Sequence, residues 1–192
     1  MKHLIIIFIL MVILSGCQLG RSDLLDTSKL EKEEIEGNLT EEQLSGIPTL
    51  YKAPSLEVAL DAVPFTVNLP EALPFETEGF KVIAIQDWGD RDDKKDISIE
   101  LQAWGEASAP MDKNVTIMIH DFEVTYSTSG IKITLDNGIE ARYDMDHKAG
   151  GNIYFVHKGL IISISYTDKE KEFEKEKVLD VLVTLANQML KE

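Results

Sequence analysis

The sequence is poor in cysteine, which limits how its fold can be stabilised. Cys17 is the only cysteine among 192 residues, so no disulfide can form within the chain and the fold depends on packing. Arginine is also scarce, and 19 basic residues against 34 acidic ones leave a formal net charge of −15. Because nucleic-acid phosphates repel so acidic a chain, we expect no nucleic-acid partner.

Motifs for catalysis and cofactor binding are missing as well. The sequence contains no HExxH, no GxSxG and no glycine-rich phosphate loop. His120 and Asp121 are adjacent, but adjacent side chains of a strand point to opposite faces, so the two are poor candidates for joint catalysis. His147 and His157 fall in predicted turns. We therefore predict a non-enzymatic protein with no catalytic residue and no cofactor.

Two acidic loops match calcium sites only in part. The segment from Asp144 to Gly150 begins like an EF-hand loop, but Lys148 stands where a ligand is needed and Ala149 where glycine is needed. The loop DWGDRDDKKD at residues 87–96 mixes its carboxylates with two lysines and an arginine. We predict no metal site in either loop.

One long apolar run stands out at the N-terminus. Leu4 to Leu14 is unbroken (LIIIFILMVIL), long enough for the core of a secretory signal and too short to span a bilayer. The run ends in Leu14-Ser15-Gly16-Cys17, which resembles the lipobox of bacterial lipoproteins. The resemblance implies a signal peptide at residues 1–16, cleavage between Gly16 and Cys17, and a diacylglycerol on the Cys17 thiol with acyl chains such as palmitate. It places the protein, lipid-anchored, on the outer face of the plasma membrane.

The mature chain divides into two predicted parts. Residues 17–50 are dense in acidic side chains and contain no aromatic residue, a composition that favours a flexible acidic tether behind the lipidated N-terminus. Residues 51–192 have the length of one ordinary domain. The excess of lysine over arginine, with many isoleucines and glutamates, indicates an AT-rich genome and hence a Gram-positive source.

The pattern of this domain predicts an α+β fold. Ser55 is positioned to cap a short helix that Pro64 ends. Alternating apolar and polar residues then predict an antiparallel sheet of about six to eight strands, with Asn137-Gly138 as a hairpin turn. Thr167-Asp168-Lys169-Glu170 reads as a capping box before a long C-terminal helix. We expect both helices to pack on the sheet.

The order of these elements resembles a known domain type. A short helix, the segment VPFTVNLPEALPFETEGF, paired strands and a C-terminal helix ending in LANQML are similar to an uncharacterised extracytoplasmic domain. That domain type occurs in lipoproteins and in anti-sigma-factor or sporulation-linked membrane proteins of Gram-positive bacteria. The resemblance covers roughly residues 56–190 and is sharpest between Pro64 and Phe80. It implies a fold and a compartment, and it carries no catalytic residue.

Two tryptophans are the candidate contacts for a ligand or partner. Trp104 falls on the polar face of its predicted strand, and Trp88 follows the predicted end of another. Either both are exposed and form a binding platform, or the C-terminal helix covers that face and they are core or partly core residues; we favour the second alternative. The leading hypothesis is a protein partner in the cell envelope. A small-ligand or cell-wall-glycan binding module is the alternative, and an envelope hydrolase is the third.

Overall fold

The computed structural model describes residues 24–34, 40, 43, 46–91, 94–105, 112–124, 130–146, 150–169 and 174–191. The predicted signal peptide and lipidation site at Cys17 lie outside these residues, as do His147 and the centre of the loop after Asp146. Within the described parts, no helix is long and apolar enough to cross a membrane.

A single antiparallel sheet forms the centre of the fold. Within the described ranges it has nine strands, which lie side by side in the order β1-β2-β3-β4-β5-β9-β8-β7-β6, one more than the upper limit of the sequence prediction. The strands are β1 Glu31–Lys32, β2 Thr49–Lys52, β3 Lys81–Arg91, β4 Lys94–Trp104, β5 Lys113–His120, β6 Ile131–Thr134, β7 Glu140–Asp146, β8 Gly150–His157 and β9 Leu160–Asp168. The predicted α+β class is confirmed.

One face of the sheet carries the hydrophobic core. Alternation places Ile97, Ile99 and Leu101 of β4 on this face, where all three are buried. Their partners across the sheet, such as Ile117 of β5 and Ile164 of β9, are buried with them. Some side chains of the opposite face, such as Glu100 and Gln102, remain half exposed, whereas Ser98 and His120 on that face are buried.

Among the described residues, two helices add to this core. Helix α1 (Leu56–Ala62) begins where the Ser55 hydroxyl accepts a hydrogen bond from the Val58 backbone N–H at 3.2 Å, as the sequence predicts. Helix α2 (Lys175–Met189) packs against β8 and β9. Its buried stripe, which the sequence also predicts, consists of Val178, Leu182, Leu185, Ala186 and Met189.

The start of α2 differs from the prediction. Thr167 and Asp168 belong to β9, where they pair with Asn114 and Lys113 of β5, and α2 begins only at Lys175. Its N-cap residue, Glu174, makes no side-chain capping bond. Strand pairing therefore takes the residues that the capping-box pattern assigned to the helix.

Part of the segment predicted as a tether is folded onto the domain. Residues 27–29 form a 3₁₀ turn, and β1 pairs with β2, which in turn pairs with β3. Leu25 is only 7% exposed and belongs to the main hydrophobic core. The backbone N–H of Asp26 donates to the carbonyl of Ala62 at 2.9 Å. The folded domain therefore includes Leu25 and Asp26, well before Tyr51.

Candidate functional site

The sheet surface opposite the core is the candidate functional site. Strand register shows which side chains share it: Glu100 pairs with Met118, Met118 with Ser163, and Ser163 with Tyr154. Among the described residues, both helices contribute side chains to the core and neither is seen on this surface. We call it the open face; it includes Ala84, Gln86, Trp88, Ser98, Glu100, Gln102, Trp104, Thr116, Met118, His120, Arg142, Asn152, Tyr154, Ser163 and Ser165.

Polar side chains of the open face bond to each other across strands. The Gln102 side-chain amide donates to the Thr116 hydroxyl at 2.9 Å, and the Ser98 hydroxyl donates to the Gln86 carbonyl oxygen at 3.0 Å. A third pair, Ser165 and Asn152, joins β9 to β8. These bonds hold the polar side chains in place, so the surface is largely pre-formed.

Trp88 lies inside β3, not beyond the end of its strand as the sequence predicts. The register of β3 against β4 shifts between Asp87 and Asp90, and Gly89 takes a positive φ of 83°, which is typical of a bulge. The Trp88 indole N–H donates to the Ser98 hydroxyl at 3.4 Å, and this bond places the ring on the open face.

An aromatic cluster surrounds Trp88. The rings of Trp88 and Phe122 are 6.2 Å apart, and those of Phe122 and His120 are 5.2 Å apart in an edge-to-face arrangement. His120 is buried, and desolvation lowers its pKa from the ordinary value. A neutral imidazole therefore packs into this cluster at pH 7.

Trp104 lies at the opposite end of the same face. It pairs with Asn114 of β5, and the Lys81 ammonium lies 5.9 Å from its ring centroid, within reach of a cation–π contact. Six residues separate Trp104 from Ser98, which is the hydrogen-bond partner of Trp88. At ~3.4 Å per residue, the two tryptophans are thus ~20 Å apart. Each is half buried, as partly core residues would be, and their separation does not suit a single shared platform.

His120 and Asp121 do not act as a pair. The Asp121 carboxylate accepts a hydrogen bond from the Ile97 backbone N–H at 2.7 Å, whereas the His120 ring packs on Phe122. Burial raises the pKa of Asp121, and the negative charges of Asp96 and Asp87 add to this effect. The Asp121 carboxylate therefore binds the backbone of strand β4. The two side chains are not arranged for joint general acid–base catalysis.

Glu100 is the charged residue at the middle of the open face. Burial raises the pKa of its carboxyl group, and its register neighbours on β3 and β5, Ala84 and Met118, carry no charge. The sequence pattern placed Glu100 on the polar side of its strand. It did not indicate that this carboxylate would be half buried among uncharged neighbours.

The described residues contain no group of three or more His, Cys, Asp or Glu side chains that could hold a metal ion. Asp144 of β7 instead accepts a hydrogen bond from the Met145 backbone N–H at 2.9 Å. Most side chains of the second acidic loop, from Asp90 to Lys95, lie outside the described part. Comparison of the chain with known protein families, with curated proteins and with solved structures found no match.

Proposed function

We propose that this protein is a non-enzymatic, lipid-anchored lipoprotein on the outer face of the plasma membrane, and that its open face binds a protein partner of the cell envelope. The lipobox-like sequence at Leu14 to Cys17 supports the anchor. The observation that carries the binding role is a broad, pre-formed and mostly uncharged face on an otherwise acidic protein.

The dimensions of the open face suit a protein partner. From Ala84 on β3 to Arg142 on β7 the face crosses six strands, or ~24 Å at ~4.8 Å per strand spacing. Its length from Ser98 to Trp104 is ~20 Å, giving ~500 Å² in projection. Side-chain relief adds to this area, which approaches the ~600–1,000 Å² that each partner buries in a standard interface.

The composition of the open face supports the same assignment. Tryptophan, tyrosine and methionine are enriched at protein interfaces, whose centres are depleted in charge. Trp88, Trp104, Tyr154 and Met118 all lie on the open face, and Glu100 is the charged residue near its centre. Because covering an unpaired carboxylate is costly, we propose that the partner places a basic side chain against Glu100.

Site-specific photo-crosslinking in intact cells tests the binding role. A photoreactive residue at Met118 reports on the open face, and one at Thr184, an exposed position of α2, is the matched control. We expect one discrete adduct from position 118, absent at 184 and lost when Ser163→Trp blocks the face or Glu100→Lys reverses its charge. No adduct at 118, or the same adduct at 184, would contradict the proposal.

Mass spectrometry of the mature N-terminus tests the anchor separately. We expect a chain that begins at Cys17 with a diacylglycerol on its thiol. An unmodified Cys17, or an intact signal peptide, would overturn the proposed localisation without affecting the open face.

A glycan is the second candidate occupant of the open face. Two half-buried tryptophans lie at its ends, with amide and hydroxyl side chains such as Gln102 and Thr116 between them, a combination that suits stacking and hydrogen bonding to a sugar chain. Titration of tryptophan fluorescence with muropeptides distinguishes this candidate. A flat titration would exclude it.

A further inference from the structure

A cleft opens on the core side of the sheet, which is the side opposite the open face. It lies where the C-terminal end of α2, the segment 66–68 and the turn between β8 and β9 meet, and its cavity volume is about 50 Å³. Ile119, Ile162 and Met189, all buried core residues, line its inner part. A ligand in this cleft would therefore contact the hydrophobic core directly.

The rim of the cleft differs in charge from the rest of the protein. His157 and Lys158 contribute to it, and none of the described residues that line the cleft is acidic. In a chain with a net charge of −15, a site with a lysine and without a carboxylate favours an anionic ligand.

Lys158 has a backbone conformation that its residue type disfavours. Its φ is +51°, and the following Gly159 has a φ of +82°, as a two-residue turn between strands requires. Asparagine or glycine fits this position best, and the chain does use Asn137 at its other described positive-φ position outside glycine. Strained residues of this kind concentrate at functional sites. Lysine instead supplies a positive charge at the edge of the cleft.

We propose that this cleft binds a small ligand with a carboxylate head and a short aliphatic body. The aliphatic part lies against Ile162 and Met189, and the carboxylate meets the Lys158 ammonium at the rim. A short-chain fatty acid and a free peptide C-terminus ending in an aliphatic residue share this chemistry. The site is separate from the open face and does not depend on the proposed partner.

Methyl NMR of the full chain in detergent, with ¹³C-labelled methionine, tests the proposal. The probes are N-acetyl-leucine for the peptide source and hexanoate for the lipid source, each compared with its neutral amide. We expect the Met189 methyl signal, assigned with Met189→Leu, to shift with a Kd on the order of 1 mM for ligands of this size. Met118 on the opposite face should not shift, and each amide should bind more weakly than its acid.

The Lys158→Asn variant tests the role of charge without disturbing the turn, because asparagine tolerates a positive φ. We expect roughly fivefold weaker binding of the preferred acid, as an exposed ion pair allows, and no change for its amide. Lys175→Gln, at the exposed start of α2, removes the same charge elsewhere and should leave binding unchanged. A Met189 signal unmoved by both acids, or equal shifts with acid and amide, would overturn the proposal.

Discussion

The burial of Leu25 indicates that part of the N-terminal segment belongs to the domain. Its side chain is 7% exposed and packs in the main core, whereas its neighbour Leu24 is 50% exposed. The two leucines therefore form a matched pair. The same substitution should destabilise the protein at Leu25 and leave its stability unchanged at Leu24.

The expected loss of folding free energy in Leu25→Ala follows from the burial of this side chain. Leucine-to-alanine changes in protein cores cost ~2–5 kcal/mol, from lost transfer free energy and from the cavity that remains. Leu25 lies at the margin of the core on a short segment that can shift, so we expect Leu25→Ala to cost ~2 kcal/mol. For a chain of this size the melting temperature should fall by about 4–8 °C. Leu24→Ala should stay within ~0.5 kcal/mol of the parent chain.

Urea unfolding, followed by tryptophan fluorescence, measures both variants. Trp88 and Trp104 lie on the open face, away from Leu25, so their signal reports global unfolding. We expect a lower midpoint for Leu25→Ala with an unchanged slope, which is the signature of a change in stability. If Leu25→Ala and Leu24→Ala unfold at the same midpoint as the parent chain, the N-terminal segment does not stabilise the domain and the reasoning is refuted.

Three further substitutions test the packing and electrostatics of the domain. Gly150→Ala should destabilise by ~1–3 kcal/mol in thermal unfolding, because an added Cβ would collide with the backbone carbonyl of Tyr166; an unchanged melting temperature would contradict the close β8–β9 approach. Ser55→Ala should cost ~1 kcal/mol through loss of the α1 cap, and Ser55→Asp, which keeps a capping oxygen, should restore most of it. Burial raises the folded-state pKa of Glu100 above 4.5, so the parent chain loses stability as pH rises from the unfolded pKa through the folded one. Glu100→Gln should therefore be at least as stable as the parent chain at pH 7, and any extra stability of the variant should vanish below about pH 4.5. Extra stability that persists at lower pH would show that the ionisation of Glu100 is not its cause.

The central strands were predictable because their alternation is strong. Ile97, Ile99 and Leu101 alternate with polar residues, and a period of two both identifies a strand and assigns its faces. The same rule placed Trp104 on the polar side, where the structure has it. The α1 cap was predictable for a similar reason, since the signal at Ser55 is local in sequence.

The errors arose where long-range pairing overrides local signals. Thr167 and Asp168 match a helix cap, but both pair with β5, and Thr167 also pairs with β8, so they belong to β9. Trp88 was misplaced because a bulge at Gly89 extends β3 past an apparent strand end. Strand β1 has only two residues, too few for alternation to show, and the pair Leu24-Leu25 in an acidic segment gives no periodic signal.

The cleft was invisible to sequence reasoning for a related reason. Its walls come from four distant parts of the chain, around Val67, Ile119, Lys158 and Met189, and none of them forms a motif. The one local signal is the pair Lys158-Gly159, where a lysine takes a turn position that favours asparagine or glycine. The lysine at position 158 of this turn was therefore the only indication of the cleft in the sequence.

The folded N-terminal segment also changes where the proposed partner must be. With the anchor proposed at Cys17, a tether reaching to residue 50 could extend to more than ~100 Å, whereas the seven steps from Cys17 to Leu24 span at most ~25 Å. The headgroup layer of each leaflet takes up ~5–8 Å of that distance. The domain is then confined to the membrane surface, and its negative charge is repelled by anionic headgroups. A partner that meets the open face must itself lie close to the membrane, which favours a membrane protein over a component of the outer cell wall.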